Sequence, residues 1–315
     1  MGTLARISRA SWLALVIVGC SSSSSVTPAG GNGSSATTAA QAVAQALCDR
    51  TQACAPALLQ GLYGDVGTCV TRVTATFAPG LSAKGSAVTA TELNACAAAL
   101  PAASCGDLLS NRLPDACTPP AGTLADGAAC GVDAQWATKH CKLAAGKTCG
   151  TCAARAEVAG TCVAATDCAA GLTCVNGVCA KAGTSGSACS ATAPCRPDFV
   201  CRGGACAAPV TAGTACADGE GCDELHGVVC SVVSKKCVTV TYGATNAACG
   251  LVPSGLELCA GSGFCKGAKA PSYQGTCIAA AEDGAACDLT NGPYCGAGAT
   301  CVDGKCALVD PAKCQ

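Results

Sequence analysis

The stretch CVAATDCAAGLTCVNGVC, residues 162–179, is followed by CSATAPCRPDFVCRGGAC, residues 189–206. Both space their cysteines as C-x5-C-x5-C-x4-C, and the second copy starts 27 residues after the first. Loosened or tightened, the same four-beat phrase continues in both directions. Parsing by gaps gives six units over residues 123–315, with cysteines at 130/141/149/152, 162/168/174/179, 189/195/201/206, 216/222/230/237, 249/259/265/277 and 287/295/301/306. Nine residues separate consecutive units at 152–162, 179–189, 206–216 and 277–287.

Glycines punctuate each unit. In four units one lies three residues before the third cysteine (Gly146, Gly171, Gly227, Gly298), and in four another lies shortly before the first (Gly127, Gly186, Gly213, Gly284). Between third and fourth cysteines stand Asn176-Gly177, Gly203-Gly204 and Asp303-Gly304. These pairs predict type I′ hairpin turns, which need φ > 0 at both central positions. A two-residue loop puts Cys174 and Cys179 opposite each other on one face of the hairpin. A bond between them would staple only the hairpin, whereas bonds to Cys162 and Cys168 tie the preceding loop onto it. First-to-third with second-to-fourth pairing is favoured, and first-to-fourth with second-to-third stays open.

The expected fold class is therefore small disulfide-rich repeats of short loops and β-hairpins with little regular structure. Thirty-two cysteines in 315 residues place the chain among disulfide scaffolds, and 3 % aromatic content argues against large apolar cores. Structural disulfides are assigned to Cys162, Cys168, Cys174, Cys179, Cys189, Cys195, Cys201 and Cys206. Such cysteine density persists as disulfides outside the reducing cytosol. The net charge of −1 offers no footprint for nucleic acid.

Residues 1–19 read as an export signal: Arg6 and Arg9 precede an apolar region from Ser11 to Gly19 that is too short to span a bilayer. Ile17-Val18-Gly19-Cys20 resembles the lipobox of bacterial lipoproteins, which implies cleavage before Cys20 and lipidation of its sulfur. Ser21 after it gives a mild expectation of the outer membrane. Residues 20–36, rich in Ser and Gly, predict a flexible tether. The match of Asn32-Gly33-Ser34 to a glycosylation acceptor is discounted, because the lipobox points to a bacterium.

Residues 37–118 predict a small all-α, disulfide-linked domain of four or five helices. Val66, Cys69, Val70, Val73 and Phe77 fall on one helical face with Asp65 as N-cap, and Thr89 with Glu92 forms a capping box ahead of Leu93, Cys96 and Leu100. Its six cysteines (48, 54, 69, 96, 105, 117) are expected to cross-link helices.

Cys149-x2-Cys152, then Cys162-x5-Cys168-x2-Gly171-x2-Cys174-x2-Gly177-x-Cys179, resembles the N-terminal cysteine-rich region of Dickkopf proteins, versions of which occur as repeats in bacterial surface lipoproteins. The likeness is best over residues 130–179 and departs at Cys168, where the eukaryotic family has adjacent cysteines. It implies a shape and carries over no receptor antagonism.

Cys149-Gly150-Thr151-Cys152 beside His140 and Cys141 could form a redox or zinc centre, but it lacks a βαβ context and reads as the end of a shortened unit. His140 and His226 sit inside cysteine-closed loops with no triad or phosphate loop in view. No catalytic residue, metal site or cofactor is assigned, and an enzyme is not expected. Trp136 is expected to cover disulfides rather than to serve as an exposed anchor. Cys314, 27 residues after Cys287, is left over.

The reading is a non-enzymatic, exported protein, lipid-anchored in a bacterial cell envelope. It would carry a rod-like repeat array that is structural or binds an unknown protein partner through the loops after Cys130, Cys249 and Cys265. The alternatives are a secreted protease inhibitor and a thiol metal-binding protein.

Overall fold

The computed structural model describes residues 32–136, 140–143, 146–216, 221–231, 234–252 and 255–314. The signal segment, Cys20 and most of the expected tether lie outside the described residues.

Five α-helices open the described residues: α1 (Asn32–Cys54), α2 (Pro56–Tyr63), α3 (Val66–Ser82), α4 (Ala90–Ala99) and α5 (Cys105–Leu109). α1 starts at Asn32, inside the segment expected to be tether, since each added residue of a nucleated helix gains a hydrogen bond. α3 is started by Asp65, whose carboxylate accepts from the Thr68 backbone N–H at 2.7 Å. α4 carries the reciprocal box, with Thr89 N–H donating to Glu92 at 2.8 Å and Glu92 N–H to the Thr89 hydroxyl at 3.4 Å. The buried faces meet in one core of Val43, Leu47, Leu59, Val70, Val73, Leu93, Leu100 and Leu108. Alanines fill the remaining contacts and bury little area, so three disulfides supplement this core: Cys48–Cys69 joins α1 to α3, Cys54–Cys105 joins α1 to α5, and Cys96–Cys117 ties α4 to the exit of the domain.

Each following unit is a loop laid over a short antiparallel hairpin. Leu172–Val175 pairs with Val178–Lys181, Val200–Arg202 with Ala205–Ala207, and Thr300–Val302 with Lys305–Ala307. Asn176, Gly177, Gly203, Gly204, Asp303 and Gly304 all have positive φ, as type I′ turns require. The fourth and fifth units depart from separate hairpins. Cys237–Gly243 runs parallel to Gly255–Cys259, which joins the two units in one six-stranded sheet.

The units do not form a rod. From the second to the sixth, the residue three before the third cysteine meets the helical domain each time. Gly171 lies against Arg112, Asp198 against Gly106, Gly227 against Ala57 and Gly298 against Thr76, and the Ser262 hydroxyl donates to the Leu62 carbonyl at 2.9 Å. The first unit docks through Gln135, whose amide donates to the Lys84 carbonyl at 2.9 Å. Arg72 of α3 grips the sixth unit, with two contacts to the Asp283 carboxylate at 2.8 and 3.0 Å and one to the Ala297 carbonyl at 2.8 Å. Finally Cys149 of the first unit bonds Cys314 beyond the last, and Val132 packs on Val309. The array is a collar around the helices, closed covalently end to end. The rod expectation fails because each unit docks on the helical domain instead of touching only its neighbours in the array.

Candidate interaction surface

In the second to sixth units the bonds are Cys162–Cys174 with Cys168–Cys179, Cys189–Cys201 with Cys195–Cys206, Cys216–Cys230 with Cys222–Cys237, Cys249–Cys265 with Cys259–Cys277, and Cys287–Cys301 with Cys295–Cys306. That is the first-to-third, second-to-fourth pattern throughout. Two backbone hydrogen bonds fix the loop on the hairpin in each unit. In the second, Cys179 N–H donates to Gly160 O at 2.8 Å, and Ala159 N–H donates to Cys179 O at 2.8 Å. Ala159 has φ 67° at a position where Gly127, Gly186, Gly213 and Gly284 stand in other units.

The first unit keeps this frame and changes its chemistry. Cys141 and Cys152 face each other as Cys174 and Cys179 do, and Cys152 N–H donates to Ala128 O at 2.9 Å, the equivalent bond. Leu124 bridges Trp136 in parallel just as Ala156 bridges Cys168. Trp136 therefore stands where the second cysteine belongs, Cys141 is the third cysteine, and Cys149 is an addition within the long hairpin connection. This corrects the 130/141/149/152 parse: Cys130 bonds Cys141, Cys149 bonds Cys314, and Cys152 is a free thiol. Gly146 accordingly belongs to the hairpin connection and marks no third cysteine. The signal was present in the sequence, since Trp136 follows Cys130 by the six positions that separate Cys162 from Cys168.

Trp136 is fully buried against Cys130, Cys141 and Cys152, and its indole N–H donates to Asp126 at 3.0 Å. The indole fills the space of a missing disulfide and covers the remaining one. Burial pushes the Cys152 thiol above its ordinary pKa and the nearby Asp126 charge adds to this, so the thiolate form needed for metal binding or exchange is disfavoured. Triads such as Cys162, Cys168 and Cys179 crowd their sulfurs within 4.8 Å, but those sulfurs are bonded as disulfides.

His226 is exposed, with Nδ1 2.9 Å from Asp223. His140 is buried between Asp133 and Asp167. Asp126 and Asp283 each precede a glycine in the sequence; Asp126 holds Trp136 and Asp283 pairs with Arg72.

The units have an inner and an outer end. While the inner turns press on the helices, a Cβ built at Gly127, Gly186, Gly203, Gly204, Gly213, Gly284 or Gly304 would meet nothing within 4 Å. These outer turns form an exposed rim. Its apolar content concentrates on the second unit, where Val158, Val163 and Val178 are 62, 64 and 40 % exposed. Leu289 of the sixth unit is the other large exposed apolar side chain among the described residues. A cavity lined by Leu47, Leu58 and Val73 holds about 10 Å³ and one lined by Leu109, Gly171 and Leu172 about 20 Å³, each the size of about one water molecule. No helix among the described residues is long and apolar enough to cross a membrane. The wealth of disulfides marks an exported or extracellular protein. Comparison with protein-family models, curated proteins and solved structures gave no match for this chain.

Proposed function

We propose that this is a non-enzymatic component of a bacterial cell envelope, held to the membrane by lipid on Cys20, whose outer rim makes protein contacts. The observation that carries the reading is the polarity of the units: inner turns docked on a helical hub, outer turns free, and three exposed valines gathered on the second unit. Exposed apolar side chains in such a cluster favour contact with another protein over solvent. The lipobox-like Ile17-Val18-Gly19-Cys20 supports the anchor, and its Ser21 supports outer-membrane sorting. The likeness to Dickkopf-type repeats supports a scaffold role for the units and nothing about a receptor.

Metabolic labelling with a radioactive fatty acid tests the anchor: the wild type should carry label in the membrane fraction and Cys20→Ala should lose both. Unlabelled wild type would overturn it. For the rim, Val158→Ser, Val163→Ser and Val178→Ser combined should abolish cross-links formed through the second unit on intact cells while leaving thermal stability unchanged. Cross-links indifferent to all three changes would contradict the reading.

A further inference from the structure

Beside its facing third and fourth cysteines, each hairpin carries one further pair toward the turn. That pair is Lys142 with Thr151 in the first unit, Val175 with Val178 in the second and Arg202 with Ala205 in the third. It is Lys266 with Thr276 in the fifth and Val302 with Lys305 in the sixth. In the fourth, Ser231 N–H donates to the Lys236 carbonyl at 2.9 Å, which sets the same pair. Five of the six pairs thus hold one cation, and the second unit alone holds two valines instead. Side chains alternate along a strand, so these positions face away from the disulfides beside them. All five cations are exposed. Lys142, Arg202, Lys236, Lys266 and Lys305 have no ion-pair partner among the described residues, whereas Arg72, Arg112, Arg155 and Arg196, outside the hairpins, each pair with an aspartate.

The sign of the charge is as regular as its place. The segments between third and fourth cysteines total 39 residues and hold eight of the chain's 19 Lys and Arg, but one of its 20 acids, Asp303. With a net charge of −1, the rest of the chain is acidic in balance. Charge on a short exposed hairpin also hinders edge-to-edge pairing. Acids would serve that purpose equally, so it leaves the sign unexplained. An anionic partner explains it.

The cations stand on separate turns around the helical hub, and a Cβ built at Gly203, Gly204, Gly267 or Gly304 beside them would meet nothing within 4 Å. A small anion there meets one solvated charge, and a flat membrane reaches the hairpins on one side of the collar. A flexible chain of anionic residues can follow successive hairpins. We propose that the cationic hairpin faces bind a linear anionic polysaccharide, whose repeating carboxylate or phosphate groups contact one unit after another. Each contact is weak and screened by salt, and avidity comes from several in series. The valines of the second unit interrupt the series, which keeps the proposed protein contact apart from the polysaccharide.

Calorimetric titration of the full chain, disulfides intact, with alginate, a linear polyuronate, tests this. Binding should be measurable at about 50 mM salt and lost at about 500 mM, where screening is much stronger. Changing Lys142, Arg202, Lys236, Lys266 and Lys305 together to Gln should weaken it by at least about tenfold, five exposed contacts being lost. Lys84→Gln with Lys313→Gln, exposed cations outside the hairpins, should leave it unchanged. Val178→Lys, which completes the series, should strengthen it by about two- to fivefold, the effect of one exposed ion pair. No binding of alginate, an unchanged affinity in the quintuple variant, or tighter binding to phosphatidylglycerol vesicles or single-stranded DNA would overturn the proposal. If the quintuple variant does not fold, Val178→Lys decides: a rise in affinity supports the proposal and its absence contradicts it.

Discussion

The first and second units share one backbone plan and differ in what fills it. In the second, Cys168 and Cys179 complete a pair of bridges; in the first, a buried indole replaces the former and leaves Cys152 unbonded. A disulfide contributes by limiting the unfolded chain, whereas an indole contributes by burying area in the folded one. The same position can therefore be held by covalent or by apolar means. The exchange leaves Cys152 without a partner, while Cys149, the first unit's additional cysteine, bonds Cys314 and closes the collar.

The comparison breaks most sharply at Trp136. Trp136→Ala should cost about 3–5 kcal/mol, because it leaves a cavity with no disulfide behind it. Thermal unfolding monitored by tryptophan-independent circular dichroism measures this. Opening the clasp with Cys149→Ser and Cys314→Ser together should cost about 5 kcal/mol by the loop-entropy estimate, its closed loop spanning a separation of 165 residues. It should also broaden the small-angle scattering profile as the first unit separates from the last. Removing the second unit's own bridge with Cys168→Ala and Cys179→Ala should cost about 3 kcal/mol, since its closed loop is much shorter.

Two smaller changes sharpen the likeness. Trp136→Cys should convert the first unit to the regular pattern, and thiol titration of the unfolded, unreduced protein should fall by one thiol per chain if position 136 bonds Cys152. Ala159→Gly should raise stability by about 0.5–1 kcal/mol, because the alanine holds a left-handed conformation that glycine occupies without a Cβ clash. A loss of stability there would mean that the turn is not strained.

The hairpin units were legible because their determinants are local. Asn176-Gly177 sets a turn, the turn sets which sulfurs face each other, and the interval from Cys162 to Cys168 sets the loop. Asp65 and the Thr89–Glu92 pair announced two helices in the same way. The first unit hides its plan in the sequence because its second position carries tryptophan in place of cysteine, although Trp136 keeps the spacing. The collar was illegible for a different reason. Gly171 against Arg112, Gly298 against Thr76 and Arg72 against Asp283 join residues far apart in sequence through small side chains and single charges, which leave no periodic trace. The rim inherits that limit, since nothing in the repeat says which of its ends faces outward.

The central claim is that the collar is closed by a bond between the first unit and the C-terminus. Peptide mapping of the unreduced protein tests it most directly, with free thiols blocked before unfolding and again after. The account predicts a Cys149–Cys314 cross-linked peptide, a Cys130–Cys141 peptide, and Cys152 as the residue labelled only after unfolding. A Cys149–Cys152 or Cys130–Cys149 bond, with Cys314 free, would contradict it.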